Sequence, residues 1–150
     1  MKLLILEYGG NMNEYNNLKE LVIKYKLMSP IWKYVLELIE EELDFNENER
    51  EYVLILFIIY FCLIDDGNIC MLLNKNILSE KWNEKVESTI IMQRNKMIVD
   101  DTELNTIKKL TNVAINDYLS LINNEHLNKV IGKNKEFEIE DGWLYLRKYN

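Results

Sequence analysis

The chain has 150 residues, 48% of them hydrophobic and 29% charged, and carries a formal net charge of −7. That length suits one domain, residues 1–150, whose core needs no disulfide or metal to stay folded, and the composition is globular, neither disordered nor membrane-like. The acidic excess argues against direct nucleic-acid binding, which draws on neutralising phosphates with Lys and Arg: Glu37 to Glu51 holds eight acidic residues and one basic residue, Arg50.

Met1-Lys2-Leu3-Leu4-Ile5-Leu6-Glu7 offers only four apolar residues before a charge, short of the roughly 7–15 of a secretory segment. Cys62 and Cys70 lie in apolar runs and are expected as reduced thiols of a cytoplasmic protein. Residues 14–27 are predicted helical, with Tyr15, Leu18, Leu21, Val22 and Tyr25 at helical spacing. Ser29-Pro30 is expected to end that helix and cap the next. The second helix carries a stripe of Ile31, Val35, Leu38 and Ile39, with Trp32, Leu36 and Leu43 beside it, and the two helices form a hairpin.

Asn46-Glu47-Asn48-Glu49 resembles a capping box opening a third helix. Tyr52 to Ile64 follows, thirteen uncharged residues closed by Glu51 and Asp65, against roughly 20 for a membrane span. Its β-branched and aromatic content leaves a strand open on periodicity alone; its length and cap signals favour a buried helix, closed by Asp66-Gly67 with Gly67 at positive φ. Asn68 to Leu73 is a candidate strand. Ser79 is expected to cap a helix carrying Trp82, Val86 and Ile90. Asp100 with Glu103 forms a second capping box, continued by Leu104, Ile107, Leu110, Ala114, Tyr118 and Leu121 and interrupted at Asn123-Asn124. Phe137-Glu138-Ile139, the turn signal Asp141-Gly142 and Trp143 to Arg147 predict a β-hairpin, with residues 69–72 as a candidate third strand. The fold class is mainly α (α+β): a helical domain with a small C-terminal β-hairpin or three-stranded antiparallel sheet.

Catalytic signatures are sparse. There is no GxxxxGK[ST] loop, and Gly9-Gly10 lacks nucleotide-binding context. His126, the one histidine, sits in a polar stretch without a nucleophile motif and is expected at the surface. With two cysteines beside it, a four-ligand zinc site is unsupported, and no cofactor is expected. Asp65-Asp66 and Asp100-Asp101 would suit a small metal-dependent nuclease if they converged, but helix capping explains both pairs. Trp143, Tyr145 and Tyr149 would share one face of a hairpin. They could stack on bases, yet without a basic groove they read as core or protein interface.

Two segments resemble a known family. Asp66-Gly67-Asn68-Ile69-Cys70-Met71-Leu72 is similar to the GEGHVCLxL-type signature in the N-terminal domain of RecD, the alpha subunit of exodeoxyribonuclease V, and an apolar helix leads into it here as there. About seventy residues on, Glu136 to Tyr149 is similar to the family's PLVLDGxRLYLRRYW segment, with Val130-Ile131-Gly132 as a small motif upstream. The matching positions are Gly67, Ile69, Cys70, Leu72, Asp141, Gly142, Leu144, Tyr145, Leu146, Arg147 and Tyr149, structural or interface residues rather than catalytic ones. Asn68 replaces the signature's histidine, Trp143 its first arginine, and Glu136-Phe137 the Pro-Leu pair. The likeness covers residues 45–73 and 127–149. It implies a non-enzymatic domain that docks partner subunits, chiefly a RecC-like one. The parent would be an ATP-dependent 5′-to-3′ DNA helicase in double-strand break repair. The helicase core would begin past Asn150, and DNA would be met only through the larger complex. The alternative is a stand-alone helical interaction module, self-associating through Trp143 to Tyr149.

Overall fold

A computed structural model describes residues 13–43, 45–65, 70–123, 131, 135 and 137–146. The expectations at Met1 to Glu7, Gly9-Gly10, Asp66, Gly67, Asn68, Ile69, Asn124, His126, Arg147 and Tyr149 lie outside those residues. Five helices are described: α1 (Asn13–Lys24), α2 (Trp32–Glu42), α3 (Glu47–Ile64), α4 (Lys75–Arg94) and α5 (Asp101–Val113). They accompany three strands, β1 (Cys70–Leu72), β2 (Phe137–Glu140) and β3 (Trp143–Leu146). The architecture is mainly helical with a small antiparallel sheet, as the sequence predicts.

The centre is α3. Every residue from Val53 to Ile64 is buried, which a helix apolar on all sides requires; each large side chain so buried contributes about 1.5–3 kcal/mol. Its start is set locally, because the Asn46 side chain accepts from the Glu49 amide at 2.9 Å and donates back to the Glu49 carboxylate. Against α3 lies α1, burying the predicted stripe Tyr15, Leu18, Leu21, Val22 and Tyr25. The chain leaves α1 through Lys26 at φ 65. There Leu27 and Met28 donate their amides to the Val22 carbonyl at 2.8 and 3.1 Å, closing the helix end with orphan carbonyls satisfied.

In α2 the orientation differs from expectation. The buried residues are Trp32, Leu36 and Ile39, followed by Leu43, whereas Ile31 and Leu38 are exposed. Apolar residues at 31, 32, 34, 35, 36, 38, 39 and 43 cover more of the helix than one face can bury, so periodicity does not choose the rotation. Trp32 chooses it: its ring stacks on Phe61 of α3 at 4.5 Å, and its indole N–H donates to Asp65 Oδ1 at 2.8 Å. Ser29 caps the turn that opens α2, by a long bond. Its hydroxyl accepts from the Ile31 amide at 3.4 Å, and the helix opens with i→i+3 bonds from Trp32, Lys33 and Tyr34. Ion pairs Lys33–Glu20 at 2.8 Å and Lys19–Glu40 at 3.9 Å tie α2 to α1.

Two further starts and ends separate local from tertiary control. Ser79 is not a cap: α4 begins four residues earlier, with Asn74 Oδ1 accepting from the Ile77 amide at 3.1 Å. Asp100 is a cap, accepting from the Thr102 and Glu103 amides at 2.7 and 3.3 Å. Beyond Val113 the helix widens into a π-helical turn, Ala114–Tyr118, then tightens into a 3₁₀ segment, Leu119–Asn123. A π turn accommodates one extra residue. The buried positions accordingly become Ile115, Leu119 and Ile122 in place of the predicted Tyr118 and Leu121, and the Tyr118 ring stacks on Tyr52 at 4.6 Å.

The sheet order is β1-β3-β2. Asp141 at φ 53 and Gly142 at φ 81 make the turn between β2 and β3; two positive φ values match the twist of a two-residue hairpin. The sheet packs on α3 through Phe137, whose ring meets Phe57 and Tyr60 at 5.0 and 5.6 Å.

Candidate docking surface

The outer face of α2 presents Ile31, Tyr34 and Leu38, which are 63%, 69% and 66% exposed. Their spacing of three and four residues places them in one row along the helix. This row is held rigidly, because α3 clamps α2 at both ends. At the start, Asp65 accepts the Ser29 amide at 2.6 Å and the Trp32 indole N–H. At the other end, the Arg50 guanidinium donates to the Glu40 carbonyl, placing a cation at the negative end of the helix dipole. Three large apolar side chains thus stand in water on a helix that cannot turn them inward. Ile91, Met92 and Ile98 are also exposed, but they straddle the end of α4 and its connection to α5 rather than one helical row.

The family-motif residues within the described chain fall on the sheet. Cys70 pairs with Tyr145, Met71 with Leu144 and Leu72 with Trp143. Leu144 and Leu146 are buried, and the Leu146 amide donates to the Tyr60 hydroxyl at 2.7 Å. Tyr145 and Trp143 lie half-buried on the other face. The Tyr145 hydroxyl donates to Glu138 at 2.8 Å and contacts Glu140 at 3.2 Å. Those bonds to carboxylates, first the one to Glu138, push its pKa up to about 12. Asp141-Gly142 provides the turn, and the Leu73 amide donates to the Gly142 carbonyl at 2.7 Å. Ile131 bridges to Phe137 beside β2. These positions build the hairpin and seat it on α3.

Of the carboxylates weighed for metal chemistry, the three within the described residues have structural partners. Asp65 holds Ser29 and Trp32, Asp100 caps α5, and Asp101 accepts from Arg94 at 2.9 Å. Among the described residues no group of three or more His, Cys, Asp or Glu side chains is placed to hold a metal ion.

One network was not foreseeable locally. In a capping box Glu103 would fold back to the Asp100 amide. Here the Tyr25 hydroxyl takes that place, accepting from the Asp100 amide at 3.1 Å and donating to Glu103. Glu103 also accepts from Lys24 Nζ at 2.7 Å. The hydrogen bonds from Lys24, then from Tyr25, hold the Glu103 carboxyl below its usual range, and the same partner raises Lys24. The signal in the sequence was the pair Asp100 and Glu103; the tyrosine that completes it lies 75 residues before Asp100.

A groove of about 490 Å³ opens beside the π turn. Leu73, Ile115, Leu119 and Ile139 supply its apolar lining, and Lys75 and Asp117 bring opposite charges to it. It has room for an aliphatic group, and its lining is part polar.

Comparison with protein-family models, with curated proteins and with solved structures returns no match.

Proposed function

We propose that this chain is a non-catalytic docking domain that holds another protein against the outer face of α2. The observation that carries the reading is the row Ile31, Tyr34 and Leu38, exposed together on a helix clamped at both ends. Burying such a row against a partner gains about 25 cal/mol for each Å² of apolar surface removed from water, and rigidity lowers the ordering cost of binding. The sequence resemblance at Cys70 to Leu72 and Asp141 to Leu146 makes the parent a RecD-like helicase subunit and the partner a RecC-like subunit.

The test is co-expression of the domain with the RecC-like subunit of its own source, followed by co-purification. The reading expects the wild-type domain to be retained and Tyr34→Glu/Leu38→Glu to be lost, with both giving the same circular dichroism. Retention of the double variant at wild-type yield would refute docking through α2. The coding sequence past Asn150 gives a separate check on the family, which expects an open frame leading into a GxxxxGK[ST] loop.

A further inference from the structure

Along α2 the exposed face changes chemistry. Its first half is the apolar row, and its second half is acidic: Glu37 lies one turn beyond Tyr34, and Glu41 and Glu42 lie one turn beyond Leu38. These are the i+3 and i+4 positions that share a face with the apolar residues. All three carboxylates are exposed, and among the described residues none has an ion-pair partner, in contrast to Glu20 and Glu40, which pair with Lys33 and Lys19. From Ile31, the N-cap, to Glu42, the last residue of α2, the row and its acidic continuation run about 16 Å at 1.5 Å per residue.

From this polarity we infer the class of partner: a basic amphipathic helix, about three turns long. Its apolar residues cover Ile31, Tyr34 and Leu38, and its Lys or Arg residues meet Glu37, Glu41 and Glu42. The inference rests on the docking reading and adds the sign of the partner. A ridge of side chains one helix long packs best into the grooves of another helix. Opposite charge at the rim speeds encounter and fixes direction, while an acidic partner would be repelled. A second copy fits poorly, because it brings another chain of net charge −7. Anionic lipid and nucleic acid fail for the same reason.

Two synthetic peptides of about 18 residues, five helical turns, test it. Both carry leucine at i, i+3, i+4 and i+7; one is filled with lysine, the other with glutamate. Each is titrated into the ¹⁵N-labelled 150-residue protein at low ionic strength, where surface charges are least screened. The expected result is shifts centred on α2 with the leucine–lysine peptide, at about tenfold higher affinity than the leucine–glutamate peptide. Glu41→Lys/Glu42→Lys should abolish that preference without changing the circular dichroism. Equal binding of both peptides at α2 would overturn the charge selection while leaving the docking face intact. No shift at α2 with either peptide would overturn both, and shifts confined to other acidic surfaces would show non-specific attraction and overturn the inference.

Discussion

Tyr15 and Tyr25 belong to the same buried stripe of α1, and their hydroxyls have opposite situations. The Tyr25 hydroxyl joins Asp100 to Glu103, whereas the buried Tyr15 hydroxyl has no hydrogen-bond partner among the described residues. Removing a satisfied hydroxyl strands the Asp100 amide, so Tyr25→Phe should destabilise by about 1–2 kcal/mol. Tyr15→Phe should cost clearly less than Tyr25→Phe, because the buried Tyr15 hydroxyl makes no close hydrogen bond and feels only the neighbouring Glu40 carboxylate. Urea denaturation of the two variants decides this; equal losses would contradict the assignment. The Lys24–Glu103 pair adds a pH signature. Glu103 is held below its ordinary value of 4.5. On acidification the unfolded chain therefore takes up the proton first, and the pair's contribution, full above that value, is lost as pH falls through the folded pKa. Lys24 is raised above its ordinary 10.5, so its contribution is present below that value and lost as pH rises through the folded pKa. Melting temperature followed against pH should show a smaller acid-side decline in Glu103→Gln than in the wild type; an unchanged profile would remove the pair from the account.

At the scale of elements, the sharpest contrast lies within α2. Leu36 is fully buried and Leu38 is exposed, although the two are only two residues apart. Leu36→Ala should cost about 2–5 kcal/mol, whereas Leu38→Ala should stay within about 0.5 kcal/mol. Similar losses would mean that α2 is rotated from the orientation described. The π turn supports a deletion test. Removing the exposed Asn116 takes out the extra residue and lets an ordinary α-helix bring Leu119 and Ile122 to the core. The shortened chain should keep a single cooperative unfolding transition, and a broad, non-cooperative one would show that the widened turn is required for packing. Elements whose control is local were legible in the sequence. Asn46 and Asp100 cap because a short polar side chain meets one or two nearby amides, and Asp141-Gly142 turns because both residues tolerate positive φ. The stripe of α1 and the burial of α3 followed from periodicity and the absence of charge. Elements decided by distant partners were not legible. The rotation of α2 depends on Trp32 meeting Phe61 and Asp65, and the phase of Tyr118 depends on a π turn that no residue type announces. The candidate surface was half visible for that reason: Ile31 and Leu38 stood out at helical spacing, but their spacing alone assigned them to the core.

At the scale of the molecule, α3 organises everything else. It receives α1 along one side, anchors both ends of α2 through Asp65 and Arg50, and supports the sheet through Phe57 and Tyr60. With the core packed in this way, the outer row of α2 is left as apolar surface on a helix held at both ends. Hydroxyl-radical footprinting of the proposed complex, with a RecC-like subunit as the candidate partner, is the sharpest test, because it reads side-chain exposure at individual residues. Docking through α2 should strongly protect Tyr34 and Leu38 on complex formation, with little change at Ile91, Met92 and Ile98. Protection confined to those three, or to Trp143 and Tyr145 on the sheet, with Tyr34 still oxidised at its free rate, would contradict it.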